Sequence, residues 1–297
     1  MNVLITGASG FIGQSLVKKL RERNHHVRVL TRGNPTQEDE FRWNPNEEFI
    51  DEKALENLDA IIHLAGANIS KRWTEKYKKE LFESRINTAN LLKKYCQKNN
   101  IHLKAFISAS GVNYYGTFTS DEVLHEDSGV IQNDFLAKLC VEWEQAADQF
   151  SELSDRVVCL RTALVLGKNG GAFPFLRKIT DLNLGAAVGS GKQWMNWIHL
   201  EDLVNLYVFA LEKPTINGKY NAVADDIPTN KKFMKTLART LCKFFISVHV
   251  HAFLLKLMMG EMSTIILHGS RVSNKKIKSA GFDFEFSKLQ KAFKSLI

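Results

Sequence analysis

A short apolar strand at the start of the chain gives way at once to a glycine-spaced turn. Residues 2–6 (Asn-Val-Leu-Ile-Thr) read as a buried strand that stops at Gly7. Thr6-Gly7-Ala8-Ser9-Gly10-Phe11-Ile12-Gly13 then carries the spacing G-x-x-G-x-x-G. Each glycine answers a separate steric demand. Gly7 permits a tight turn, Gly10 lets the backbone approach a pyrophosphate, and Gly13 lets helix and strand pack closely. Phe11 to Arg23 reads as a helix with Ile12, Leu16 and Leu20 on one face. A helix that opens after such a turn offers free N–H groups and a positive dipole end to phosphates. A lone glycine motif is weak evidence; the strand–turn–helix setting makes it a dinucleotide site.

The next segments repeat the alternation. His26 to Thr31 and Asp59 to Leu64 read as strands, Thr74 to Gln97 as a long helix, and Ala105 to Ser108 as a strand. A helix from Phe135 to Phe150 and a strand from Arg156 to Thr162 follow. Continuously apolar strands alternating with helices predict an α/β fold: a doubly wound parallel sheet of the Rossmann type, buried on both faces. After Gly167 the pattern changes to Gly, Pro and aromatics up to Trp197, a helix follows from His199 to Glu212, and the last 70 residues look mostly helical. The expected organisation is a dinucleotide-binding domain over residues 1–166 and a smaller, mostly helical substrate-side lobe over 167–297. Its 196–224 part is expected to return to the sheet domain.

Composition narrows the partners. With 297 residues the chain can bury a core without disulfides or metals. The net charge of +8 is uneven, since residues 227–297 hold 13 basic and 3 acidic side chains. A basic tail fits a nucleic-acid partner or, more simply, a solvated helical face beside an anionic cofactor or substrate; the second reading is adopted. Cys96, Cys140, Cys159 and Cys242 have no C-x-x-C spacing and read as reduced thiols in a cytoplasmic protein. Val3-Leu4-Ile5 has no basic segment before it, so no signal peptide is expected. The apolar stretch Phe244 to Met259 is interrupted by His249, His251 and Lys256; it reads as a core-facing amphipathic helix rather than a membrane span. A monomer or homodimer acting on a small molecule is expected, with no membrane association.

The end of the second strand selects between dinucleotides. An acid there would grip the adenosine ribose 2′-hydroxyl. The strand ends Leu30-Thr31-Arg32-Gly33 with no acid, and Arg32 could clamp a 2′-phosphate. The expected cofactor is NADP, with NAD as runner-up.

Thr6 to Gly13 resembles the cofactor loop of extended short-chain dehydrogenases/reductases, the NAD(P)-dependent epimerase/dehydratase group. His63-Leu64-Ala65-Gly66-Ala67, Ser108-Ala109-Ser110 to Tyr115-Gly116, and Trp197-Ile198-His199-Leu200-Glu201-Asp202-Leu203 resemble further elements of that group. Lys71-Arg72-Trp73-Thr74, Ser84-Arg85-Ile86, Trp143-Glu144, Gly170-Gly171-Ala172 and Gly189 to Trp194 are similar to its "epimerase family protein" subgroup. So is a C-terminal helical extension ending Ala280-Gly281-Phe282-Asp283-Phe284. The resemblance implies cofactor contacts from Thr6, Gly7, Ser9, Gly10, Phe11, Ile12, Gly13, Arg32, Leu64, Ala65, Gly66 and Ser108.

It also implies a serine, a tyrosine and a lysine, the last two spaced Y-x-x-x-K. The tyrosine moves the proton of a substrate hydroxyl or carbonyl and the lysine lowers its pKa. Ser110 fits the serine, with Ser108 as runner-up. No tyrosine stands between Tyr115 and Tyr207. One alignment puts Asp134 and Lys138 at the Tyr and Lys positions, another Leu136 and Cys140. Tyr114 or Tyr115 could supply the phenol from the serine loop. Asp134 with Lys138 is an acid/base pair or, more simply, a surface pair four residues apart. His199 is a proton shuttle or a structural histidine. Arg85, Arg161, Lys192, Gln193 and Trp194 are expected along the substrate cleft, with Gly189-Ser190-Gly191 as an anion-binding turn suited to a phosphate-bearing or nucleotide-like substrate. Two functions remain open: an NADP-binding, epimerase/dehydratase-like oxidoreductase with a small polar substrate, and a non-catalytic NADP(H)-binding sensor or regulator.

Overall fold

The computed structural model describes residues 1–297. Its strands are β1 (Asn2–Thr6), β2 (His26–Thr31), β3 (Glu40–Asn44), β4 (Phe49–Ile50), β5 (Ala60–His63), β6 (Ala105–Gly111), β7 (Val123–Leu124) and β8 (Val157–Thr162). They continue with β9 (Leu164–Gly167), β10 (Gly170–Gly171), β11 (Ala186–Val188), β12 (Trp197–His199), β13 (Gly218–Ala222), β14 (Ile246–Val250) and β15 (Arg271–Val272). The helices are α1 (Phe11–Glu22), α2 (Glu75–Lys98), α3 (Phe135–Asp148), α4 (Phe173–Asp181) and α5 (Leu200–Glu212). After them come α6 (Asn230–Thr240), α7 (Ala252–Met259), α8 (Thr264–Leu267), α9 (Lys275–Ser279) and α10 (Leu289–Leu296).

Eight strands form one sheet in the order β13-β8-β6-β5-β1-β2-β3-β4. Every pair in it is parallel except β3 with β4. Strand β1 shows why both faces are covered. Val3 and Ile5 pack with Leu16 and Leu20 of α1 and with α5, whereas Leu4 faces Leu91 and Leu92 of α2. Alternate residues of one strand thus feed two cores, which an unbroken apolar run makes possible. Strands β3 and β13 lack such a run. The first reads Glu-Phe-Arg-Trp-Asn and is covered on its outer side only by the two-residue β4; the second, Gly-Lys-Tyr-Asn-Ala, forms the opposite edge. Edge strands solvate one side and do not announce themselves by hydrophobicity.

The order reverses between β1 and β5, so a crevice opens above their carboxyl ends. A third core lies apart from these two, where Phe173, Trp197, Phe233, Phe286 and Phe293 pack together. The segment Phe244 to Met259 does not form the core-facing helix expected from its composition. It divides into β14, which pairs with β11, and α7, none of whose residues is buried. Phe253, Leu257 and Met258 are 72, 68 and 75% exposed. Nine residues separate β14 from Gly260, whose φ is +61°, and the neighbouring core is already filled by α6 and α10. No helix is long and apolar enough to cross a membrane.

Candidate functional site

The glycine turn lies at the β1/β5 crevice. Gly7 adopts φ +72°, which favours glycine, and its backbone is pressed against the Leu64 carbonyl group. A Cβ on Gly13 would lie 2.3 Å from the Gly7 oxygen, so only glycine lets α1 pack this close. The helix begins at Phe11 with no side-chain cap and no acid in its first turn. Its N–H groups and dipole therefore remain available to an anion. A cleft of about 1590 Å³ spreads from this turn. It is lined by Gly7, Ser9, Gly10, Arg32, Leu64 and Gly66 among others, and it exceeds the ~300–1,000 Å³ of ordinary small-ligand sites. Arg32 is exposed and has no carboxylate within ion-pairing distance. Two acids at the same end are engaged elsewhere, Asp39 by Arg21 and Glu48 by Lys94. These features fit a phosphorylated dinucleotide.

Not every loop residue presents its side chain to the cleft. The Thr6 hydroxyl is buried; it accepts from the Leu64 and Ala65 N–H groups and donates to His63 Nδ1. His63 Nε2 faces the Arg85 carbonyl at 3.2 Å. A carbonyl only accepts, so Nε2 carries the hydrogen. Burial pushes His63 down to about 4, and the ring stays neutral. Thr6 and His63 thus hold the shape of the turn from beneath. Phe11 lays its ring against Gly167 and Gly170 of the β9–β10 hairpin. Ser108 is buried and donates to the Ala109 carbonyl.

A buried polar chain gathers at the carboxyl ends of β6 and β8, outside the lining of that cleft. Ser110 Oγ donates to Glu144 Oε1 at 2.8 Å. Glu144 accepts two hydrogen bonds from Arg161, at 2.8 and 2.9 Å. Arg161 Nη1 donates to the Tyr115 hydroxyl at 3.0 Å, and that hydroxyl donates to Asn221 Oδ1 at 2.9 Å. Tyr115 is 1% exposed, and burial pushes its phenol up to about 12. Tyr114 differs: it is half-buried, its hydroxyl has no protein partner, and the Arg161 guanidinium lies 3.5 Å from its ring centre. On α3, Leu136 and Cys140 are buried, and burial pushes the Cys140 thiol up to about 12. No phenol or ammonium projects from this stretch into the site.

Several expected roles are replaced by structural ones. Asp134 forms neither an acid/base pair nor a surface pair with Lys138. It caps α3, accepting from Leu136 N and Ala137 N at 2.9 and 3.0 Å, and also from Thr117. A cap satisfies orphan backbone donors, which an i,i+4 pair cannot do. His199 caps α5 through Nδ1 and stacks on Phe286 at 3.8 Å; burial pushes it down to about 4. The Gly189-Ser190-Gly191 turn is not an anion cradle. Gly189 N donates to the Val250 carbonyl, Gly191 N to the Val188 carbonyl, and Lys192 N to Ser190 Oγ. Gln193 is fully buried and ties the Val188 and Ile266 carbonyls together. Trp194 Nε1 donates to Asp121, with Arg271 over its ring. Trp73 packs on Phe135 and donates to the Ile69 carbonyl, anchoring the loop that leaves β5.

Residues 3–223 match the model of the NAD dependent epimerase/dehydratase family. The chain belongs to that family. Residues 250–296 match a domain of unknown function, DUF1731. Epimerase family protein YfhF of Bacillus subtilis is 35% identical over 301 residues, covering 100% of this chain and 98% of its own. A Staphylococcus aureus epimerase family protein is 32% identical over 300 residues, at 99 and 98% coverage. The structure of human epimerase family protein SDR39U1 with NADPH superposes with a TM-score of 0.89 at 30% identity, over 100% of this chain and 99% of that one. Helix α3 of this chain holds no tyrosine, and its buried face carries Leu136 and Cys140.

The sequence alone assigns no site role to Glu144, to Asn221 or to Glu126, whose carboxylate accepts from Asn221 N at 2.9 Å, although Trp143-Glu144 resembles a subgroup feature. A signal existed for one of them. Leu136, Cys140 and Glu144 share one face of α3 at spacings of four, so an acid continues an otherwise buried stripe. An acid there needs a buried partner, and Arg161 on β8 provides it.

Proposed function

We propose that this protein is an NADP-dependent oxidoreductase of the epimerase/dehydratase type whose small polar substrate carries a hydroxyl. One observation carries the reading: the uncapped N-terminus of α1 and the unpaired Arg32 line the same cleft. The human relative solved with NADPH supports the choice of the phosphorylated cofactor. When bound, the nicotinamide supplies or takes up a hydride. The chain's own residues do the rest. The Ser110 hydrogen is committed to Glu144, so Ser110 Oγ orients a substrate hydroxyl by accepting from it. Tyr114 offers a phenol free of protein partners to carry a proton. Tyr115 holds Arg161, and Arg161 holds Glu144. Residues 167–195 and 225–297 form the substrate-side lobe.

A second reading rests on Leu136 and Cys140. With no phenol on α3, the protein would bind NADP(H) as a sensor without turnover. Paired titrations with NADPH and NADH test the cofactor assignment. The expected preference for NADPH is roughly 10–100-fold, from charge-assisted bonds of about 1.5–3 kcal/mol at Arg32. Equal affinities, or a preference that survives Arg32→Ala, overturn it. NADPH consumption with carbonyl-bearing substrates, or NADP+ reduction with hydroxyl-bearing ones, abolished in Tyr114→Phe, supports the enzyme. Tight NADPH binding with no consumption across such a panel supports the sensor.

A further inference from the structure

Two arginines are deeply buried near the cleft, and the fold treats them differently. Arg161, 2% exposed, is neutralised by Glu144 through two hydrogen bonds. Arg85 on α2, 7% exposed, has no carboxylate within ion-pairing distance. Its titratable neighbours are Cys140 and Tyr77, whose pKa values burial raises so that both stay neutral, and burial lowers its own pKa. Nη1 donates to the Leu81 carbonyl at 2.9 Å and Nη2 to the Ala67 carbonyl at 3.0 Å. Nε is buried and has no partner at all. A desolvated cation left without a countercharge is costly, and it persists where something else offsets it.

Its surroundings indicate what does. The guanidinium lies against the backbone of Gly66, where a Cβ would stand 2.9 Å from Cζ. The Trp143 ring covers it at 4.8 Å. Gly66 follows Leu64 and Ala65, the residues against which the Gly7 turn is pressed. Cys140, beside the end of β6, presents no charge. Arg85 therefore stands behind the β5–β6 side of the crevice, opposite the β2 side that holds Arg32. A dinucleotide spanning that crevice would lay one half on each side.

We propose that the countercharge of Arg85 is the bound dinucleotide, and that Arg85 is a positioning residue for its nicotinamide-side half. This rests on the NADP-binding reading above. By holding the Ala67 carbonyl, Arg85 sets the Gly66 turn and brings a positive charge to the oxygens of the ribose–diphosphate that crosses it. Arg32 then meets one half of the ligand directly, and Arg85 acts on the other half through the Gly66 backbone that lies between them.

The test compares two probes by calorimetric titration: NADPH and adenosine 2′,5′-bisphosphate, which carries only the adenosine half. Arg85→Met is expected to weaken NADPH about 10–100-fold, through loss of the buried charge and of the hydrogen bond that sets the Gly66 turn, and to leave the bisphosphate unchanged. Arg85→Lys keeps the charge and is expected to recover part of the NADPH affinity; it also serves if the Met variant folds poorly. Arg32→Ala should weaken both probes. Equal loss of both probes in Arg85→Met, or no loss of NADPH, overturns the proposal. Wild-type protein that binds no NADPH would instead overturn the cofactor reading itself.

Discussion

At the scale of single residues, the site depends on which hydrogen bonds are already taken. Ser110 has one hydrogen and gives it to Glu144, so it is left with lone pairs that can only accept. Ser110→Ala is expected to lower turnover by roughly 10²-fold, the scale of losing an oriented group in the transition state. NADPH affinity should hardly change. Steady-state kinetics alongside a binding titration separates the two effects, and unchanged turnover would remove Ser110 from the site. Glu144 carries more of the stability. Glu144→Ala leaves Arg161 buried and uncompensated, which costs about 3–5 kcal/mol. Urea unfolding reads this as a lowered midpoint; a loss below ~1 kcal/mol would mean that water already relieves the pair. Replacing both partners with apolar side chains, Glu144→Leu with Arg161→Met, should return most of the stability while Ser110 loses its orientation.

Among the elements, α3 shows how one side chain ties two segments together. Asp134 caps the helix and also binds Thr117 N at 2.6 Å, fixing the loop after the two tyrosines. Asp134→Ala should therefore cost at least the ~1–2 kcal/mol of a strong cap. Asp134→Asn retains an acceptor oxygen and should cost less. A urea series on both variants decides the point, since equal losses would mean that the charge, not the acceptor, matters. The apolar spacing of α2 and α3 was readable because both bury one stripe against the sheet. The identity of α7 was not readable: its composition suits a core helix, yet the neighbouring elements leave it outside.

The whole molecule responds to acid through groups that folding has desolvated. Burial pushes His63 and His199 down to about 4. In the unfolded chain they titrate near 6.5, so between those values the unfolded state holds more protons. Their contribution is complete above pH ~6.5 and is lost as pH falls toward 4, by up to about 1.4 kcal/mol per pH unit for each ring. Asp202, raised by burial to about 6, acts in the opposite sense, because its folded form keeps a proton that the unfolded form releases. It accepts from Glu285 N and Phe286 N, so it also ties α5 to the C-terminal segment. Two histidines outweigh one acid, and stability should decline between pH 6.5 and 4.5. Urea midpoints at several pH values check this. In His63→Asn the decline should flatten by about one proton's worth; an unchanged slope would clear His63 of the effect.

The chain's own order of residues determined the parallel sheet, the glycine turn and the missing phenol. Those follow from local facts: apolar runs that must be buried on both faces, glycines that alone fit a tight turn, and a simple absence of tyrosine between Tyr115 and Tyr207. Thr6-Gly7 to Gly13 could be read as a phosphate site because turn, helix start and strand end are consecutive in the chain. Only the tertiary structure decided what the polar side chains do. Ser110, Tyr115, Glu144, Arg161 and Asn221 come from three strands, a helix and the turn after β6, and their hydrogen bonds span up to 106 positions in sequence. Whether an arginine is paired, as Arg161 is, or left without a carboxylate, as Arg85 is, depends on which element packs above it. Periodicity carries no information about that choice, because partner, burial and available donors are settled when distant segments meet.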